Sequence, residues 1–344
     1  MNKKLMALAV AGACVAPTVM AQTASPVTLY GRVYVSVQSV EAKGGPAASN
    51  VPSKMQVSDD SSLLGVRGTE DVGGGMKVFF QLETAFKSDS QAATGNQFAT
   101  RNSGIGLQGG WGTVLAGRWD SPYKVITYSV DQYGDLNLGG ITAALHDRGN
   151  FDRREQNVIQ YWTPSFGGFT AKLSMTANEG KTSALNPRNT AANIVYAKGP
   201  VMVSYAWEEH KDVSATLRKE TGNQLSGYFT MGSFKVGGVY EDIKKDGMTK
   251  QKNYLANILW TAGKHQLGYQ FSNSQDGGVN GAAQPECDVN AVGYFYNWSK
   301  RSQLVATYVK VDNNAAGVCK FGSNDVGGAG ADREGFGVGI KHVF

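Results

Sequence analysis

Apolar and polar residues alternate along this chain with a period of two. In 27–37, Val27, Leu29, Val33, Val35 and Val37 share one face, while Thr28, Tyr30, Arg32, Tyr34 and Ser36 share the other. Phe169, Ala171, Leu173 and Met175 alternate with Thr170, Lys172, Ser174 and Thr176. The same holds for Val201, Val203, Tyr205 and Trp207 against Met202, Ser204, Ala206 and Glu208. Leu267, Tyr269 and Phe271 likewise oppose Gln266, Gly268, Gln270 and Ser272. Period two marks strands whose two faces meet different surroundings. Helical periodicity is scarce, and the chain reads as all-β.

Turn residues divide this pattern further. Tight turns are expected at 73–75, 109–110, 166–168, 198–200, 232–233, 262–264 and 299–300. Long polar links fall at 41–60, 88–97, 121–153, 179–188, 210–221, 243–251, 274–286 and 313–332. Short and long connections alternate strictly, so seven turns and eight links separate sixteen segments. Most segments are near the ~9–11 residues that a tilted strand needs to cross a bilayer. A soluble β-sandwich has no reason to gather every long loop at one end. A transmembrane barrel does, with short periplasmic turns, long external loops and an even strand count. Eight strands would fill with side chains, whereas sixteen enclose water. The pattern therefore predicts a 16-stranded antiparallel transmembrane β-barrel.

Composition changes this picture only at the edges. Lys3 and Lys4, the apolar stretch 5–16 and the small-residue site Val19-Met20-Ala21 read as a cleaved signal peptide over 1–21, leaving 22–344 as the barrel domain. Cys14 after Ala11-Gly12-Ala13 offers a weaker lipoprotein alternative. Losing Lys3 and Lys4 lowers the formal net charge from +5 to +3, which is no nucleic-acid footprint. The mean hydropathy of −0.28 is the polar average that alternation produces. Without the leader only Cys287 and Cys319 remain, and in an exported setting a single bridge between them is a candidate, with two free thiols as the alternative. Trp111, Trp119, Trp162, Phe166, Phe169, Trp260 and Trp298 crowd strand ends and turns, as interfacial girdles require.

The link 121–153 is too long for an idle connection, which rarely exceeds about 12–15 residues. Parity selects the basic residues that would face the lumen beside it. Arg32 opposes the valines of its strand, Arg67 opposes Leu64 and Val66, and Lys77 opposes Val78 and Phe80. Arg118 is set opposite Leu115 and Trp119. A charge facing lipid at mid-membrane would cost ~2–4 kcal/mol, which turns all four inward. Arg101, Arg153 and Arg154 could join them. Asp120, Asp131, Asp135 and Asp147 are the available opposing carboxylates. Such an arrangement creates a transverse field, and an excess of basic groups favours anions.

Several blocks then carry a resemblance: VTLYGRV at 27–33, LGVRGTEDVGGGMKVFFQLE at 64–83, IGLQGGWGTVLAGRWDSPY at 105–123, NVIQYWTPSFGGF at 157–169, YNWSKRSQLVATY at 296–308 and VGIKHVF at 338–344. In this order, and over the whole mature chain, they resemble the general bacterial porins, particularly their betaproteobacterial branch. The resemblance implies a homotrimer in outer-membrane lipid and lipopolysaccharide, passing ions and small hydrophilic solutes. It implies that the third external loop, here 123–147, folds into the pore between a basic wall and its own acids. The terminal Phe344 resembles the signal read by the outer-membrane assembly machinery.

Other signals carry less. The GxGxxG match at 104–109 lies inside a strand with no helix following, so it is no dinucleotide site. A single calcium-roll-like unit at 327–332 reads as a flexible eighth loop, with weak cation binding by Asp325, Asp332 or Glu334 left open. His146, His210, His265 and His342 are scattered, and no metal or cofactor site is expected. His210 with Asp212 is the faintest enzyme hint and reads as a solvated loop. Two alternatives could coexist with a diffusion channel: a selective channel in which Tyr123, Tyr128 and Tyr133 form a stacking path, and an adhesin using 41–60 and 313–332.

Overall fold

The computed structural model describes residues 27–89, 98–134, 137–140, 145, 151, 153–212, 214, 218–275, 277–279, 281–322 and 324–344. The leader 1–21, Asp135, His146 and Asp147 lie outside the described residues. Strands β1 Thr28–Lys43, β2 Val51–Asp59, β3 Leu63–Gly73, β4 Met76–Ala85, β5 Ser103–Gly109 and β6 Gly112–Asp120 precede the long third link. Beyond it come β7 Arg154–Trp162, β8 Phe169–Thr176, β9 Arg188–Lys198, β10 Val201–Lys211 and β11 Lys219–Met231. The last six are β12 Phe234–Lys245, β13 Gln251–Ala262, β14 His265–Gln275, β15 Glu286–Asn297, β16 Ser302–Asn313 and β17 Asp332–Val343.

Each strand pairs antiparallel with the next, and β17 closes on β1 from Arg32↔Val343 to Lys43↔Asp332. Beyond β17, Phe344 continues the seam by exchanging two 3.1 Å backbone hydrogen bonds with Gly31. Seventeen segments make sixteen staves, because β2 and β3 both pair with β1 and form one stave broken at 60–62. Asp59 holds that break: its Oδ1 accepts from the Ser61 N–H at 3.1 Å and the Ser62 N–H at 2.9 Å. Closure leaves no edge strand to be managed.

The residue distribution is inverted relative to a soluble protein. Val37 is 50% exposed on the outside while its neighbour Gln38 is 1% exposed inside. Ile105, Leu173, Val203, Leu267 and Ile340 point outward, whereas Ser204, Gln224, Ser226, Gln270 and Ser272 are buried within. Apolar side chains gain from lipid, and inward polar ones find partners, so alternation satisfies both solvents at once. At one end the hairpins are tight; Gly232 and Gly263 open two-residue turns at φ 56° and 58°, where a side chain would be strained.

At the other end the described part of the eighth loop, 314–322 and 324–331, is organised rather than loose. Cys287 of β15 and Cys319 are joined by a disulfide with Cα atoms 6.1 Å apart, packed with Val289, Val311 and Phe321. The roll-like unit is no open cation site: the Arg333 guanidinium occupies it, donating to the Val326 carbonyl at 2.8 Å, Ala331 at 2.8 Å and Gly328 at 3.1 Å. Closing a span of 32 residues by a bridge is worth about 3–4 kcal/mol in the chain-entropy view. Cys319→Ser should therefore make 314–331 cleavable by external protease while the strands stay protected. Equal cleavage before and after the substitution would mean the bridge does not hold the loop.

Candidate functional site: the lumen and its inward loop

The third link starts as a short helix, α1 Pro122–Thr127. Ser121 caps it, its Oγ accepting from the Lys124 N–H at 3.1 Å, and Pro122 occupies the first turn where no donor is needed. From there the chain runs along the inside of the barrel wall, and each inward polar side chain meets its backbone. Asn193 of β9 donates to the Pro122 carbonyl at 2.7 Å, and Ser226 of β11 to Ile126 at 3.2 Å. Asn257 of β13 donates to the Val130 carbonyl at 2.6 Å, and Gln270 of β14 to Gly139 at 3.2 Å. The loop also reaches outward: Tyr123 donates to Glu241 Oε1 at 2.7 Å, Tyr133 to the Ala291 carbonyl at 2.8 Å, and Asn137 Nδ2 to the Tyr34 hydroxyl at 2.7 Å. The loop thus lies inside the barrel from β9 round to β1.

Apolar contacts complete the seat. Tyr123, Ile126 and Phe151 pack with Ala206 and Ile243, and Val130 and Leu145 with Met202, Val239 and Leu255. Two glycines make room. A Cβ on Gly222 would lie 2.8 Å from the Phe151 ring, and one on Gly293 would lie 2.5 Å from Tyr133. Tyr123 and Tyr133 are 0% and 2% exposed, so they are anchors and do not form the stacking path suggested by sequence. Burial, reinforced by Glu241 at Tyr123 and by Asp131 at Tyr133, holds both hydroxyls well above the ordinary phenol range, so they remain neutral donors.

Charged side chains also sit at inward positions of the staves. Arg32 lies in the inward phase of β1 and donates to the Ser61 carbonyl at 2.7 and 2.9 Å. Arg67 stacks 5.0 Å over the Tyr30 ring, and Tyr30 in turn donates to Glu83, which pairs with Arg101 at 2.6 Å. Lys77 is next to the 74–75 turn, at the periplasmic mouth. Asp120 belongs to the wall, not to the opposing loop: it ends β6 and contacts Arg154 at 3.2 Å and Lys124 at 3.5 Å. Asp131 sits on the loop within electrostatic reach of Tyr34 and Lys341, the cross-strand pair beside Arg32.

The parity assigned to β6 does not hold. Leu115, taken as lipid-facing, is 1% exposed and points inward, while Val114 and Ala116 face out. Arg118 pairs with Ser103, which is buried with its hydroxyl accepting from the Glu83 N–H at 3.0 Å, and the Arg118 Nε is itself buried. A bulge between Gly117 and Trp119 breaks the register against β7 at this point, so simple alternation does not place Arg118. Gly117 has φ 147°, and a Cβ there would collide with the Ser103 carbonyl. His210 is also misread by sequence: it is fully buried in β10 between Glu208 and Glu220, and Asp212 pairs instead with Arg218.

Sequence reasoning passed over Lys172, Lys235 and Lys341. Each alternates with outward residues, Leu173, Val236 and Ile340, so parity alone could have found them. Lys172 lies 4.4 Å over Trp162, Lys235 3.9 Å over Tyr228 and Lys341 5.8 Å over Tyr34.

A closed barrel, apolar outside and polar within, with a loop laid against its inner wall, defines a transmembrane diffusion channel. A family model described as Gram-negative porin matches residues 7–316. Outer membrane porin protein 32 of Delftia acidovorans is 30% identical over 365 residues, covering all of both chains. Major outer membrane protein P.IB of Neisseria gonorrhoeae is 26% identical over 335 residues, 89% of this chain and 92% of that one. Among solved structures, the anion-selective porin from Comamonas acidovorans superposes with a TM-score of 0.77 at 28% identity, covering 93% of this chain and all of its own. The chain belongs to the Gram-negative porin family. It resides in the outer membrane and passes ions and small hydrophilic solutes through a water-filled channel; members of this family are channels rather than enzymes.

Proposed function

We propose that this porin prefers anions and that the preference comes from an unbalanced lumen. One observation carries the reading. Arg67, Lys172, Lys235 and Lys341 all lie in the inward phase and make no ion pair among the described residues. Among the inward carboxylates, Glu83 is matched by Arg101, Asp120 by Arg154 and Lys124, Glu155 by Arg153, and Glu208 and Glu220 lie against His210. Asp60 and Glu241 are buried behind the inward loop and hydrogen-bonded there. Basic side chains lining a narrow aqueous path raise the local anion concentration and lower that of cations. The solved relative from Comamonas acidovorans, described as anion-selective, supports the same sign.

Arg32 with Lys341 and Asp131 form the proposed narrow zone, where a loop acid faces a basic wall. Arg67 and Lys77 serve as lumen charges nearer the periplasmic mouth. The homotrimer, the contact with lipopolysaccharide and the use of Phe344 by the assembly machinery belong to this reading through the family.

Ion substitution tests it. In planar bilayers, replacing chloride by a bulkier anion should lower single-channel conductance more than replacing potassium by lithium. A conductance set by the cation instead would reject the preference.

A further inference from the structure

Outside the conducting path, at the root of the inward loop, four titratable side chains converge away from solvent. They are Glu155 of β7, Glu208 and His210 of β10, and Glu220 of β11, none more than 6% exposed. His210 Nε2 lies 2.7 Å from Glu208 Oε1, and its Nδ1 lies 3.3 Å from Glu220 Oε2. One ligand atom each from Glu155, Glu208 and His210 lie within 4.8 Å of one another. Glu155 is itself oriented, accepting from Arg153 Nε at 3.0 Å and Asn189 Nδ2 at 2.7 Å. The Phe151 ring stacks on the imidazole at 4.6 Å and seals the cluster from the lumen side.

Glu208 Oε2 is buried with no cation on it, the Ser121 hydroxyl being the polar group beside this carboxylate. An anionic oxygen left so is costly unless something positive meets it. The imidazole engages the other oxygen. The donor set is therefore one ring nitrogen and carboxylate oxygens on a rigid wall, with a second carboxylate behind the ring.

We propose that Glu155, Glu208 and His210 bind one divalent cation of the zinc class, with Glu220 as the positioning residue for the imidazole. Zinc takes histidine nitrogen and carboxylate oxygen at ~2.0–2.2 Å, so the cluster needs to contract only modestly to close on it. Calcium would want six to eight oxygens, and a ring nitrogen does not suit it. On binding, the metal takes the Nε2 lone pair and any proton held there passes to solvent, with no change of oxidation state. Nδ1–H then donates to Glu220, the carboxylate–histidine–metal arrangement that fixes tautomer and ring plane. Ser121, Phe151 and Arg153 flank the loop at its departure from and return to the wall, so a bound ion ties both ends of the loop to β7 and β10.

The test uses the folded full-length barrel, stripped with chelator and dialysed against Zn²⁺ or Co²⁺. Elemental analysis should find one tightly held zinc per chain, and the Co²⁺ form should show visible d–d bands of a low-coordinate imidazole–carboxylate site. Glu208→Gln and His210→Gln should abolish tight binding, and Glu220→Gln should weaken it roughly 10–100-fold, as loss of an outer-shell partner does. His265→Gln, far from the cluster, should bind as the unaltered chain does. No stoichiometric zinc on well-folded protein, or unchanged binding in folded Glu208→Gln and His210→Gln, overturns the proposal. Should neither variant fold, the Co²⁺ spectrum of the unaltered chain decides, and the spectrum of aqueous cobalt alone overturns it.

Discussion

Replacing residues 128–150 with a short glycine–serine link should raise single-channel conductance several-fold while leaving the barrel folded. A sixteen-stave barrel alone encloses a wide aqueous channel, and the inward loop is what occupies part of it. The wall behind the loop suits this change. Asn257 and Gln270 hydrogen-bond the replaced segment at the Val130 and Gly139 carbonyls, and water satisfies them once it is gone. The cost falls on Met202, Val239 and Leu255, which lose their cover at roughly 1.5–3 kcal/mol each. The truncated protein should therefore melt lower than the full chain yet still show barrel spectra. Unchanged conductance in a folded truncation would mean that the loop is not the narrowest element.

The second large effect concerns sign. Lys172→Glu combined with Lys341→Glu should move the anion-to-cation permeability ratio down by about tenfold or more. Both lysines lie over aromatic rings and hold no ion pair among the described residues, so reversing them breaks no structural bond. A unit charge ~4 Å from a permeant ion contributes about 1 kcal/mol even in water, and reversal doubles the change at each position. Substituting Arg32 would be a poorer test, because its guanidinium also fastens Ser61 at the break between β2 and β3. A ratio that stays put would remove Lys172 and Lys341 from the ion path.

Much of the fold is legible in the alternation because every stave touches two solvents. Val203 and Tyr205 against Ser204 and Ala206 state the barrel's inside and outside locally, without knowledge of any distant residue. The count of sixteen survives even though one stave is broken at 60–62, since the break keeps both halves against β1. Local alternation fails where the backbone itself departs from it. The bulge between Gly117 and Trp119 breaks the register of β6 against β7, so parity alone does not place Arg118.

The inward loop was legible as a length, not as a path. Its anchors join residues far apart in sequence: Tyr123 with Glu241, Tyr133 with Ala291, Asn257 with Val130. No short pattern encodes such pairs. His210 is a similar case. Its partners Glu155 and Glu220 arrive from other strands, so a cluster that the barrel assembles reads in sequence as a lone histidine beside a loop. Lys172 and Lys341 were legible in principle, since they sit on polar faces of alternating strands that end in lipid-facing residues.

A water-filled outer-membrane channel with unbalanced positive charge in its lumen should conduct chloride in preference to potassium. A single-channel recording of the purified protein across a potassium chloride gradient measures this preference. Stepwise ohmic conductance is expected, with a reversal potential of the sign set by chloride. Absence of steps from folded protein would rule out the channel, and a reversal potential at zero or of the sign set by potassium would rule out the anion preference.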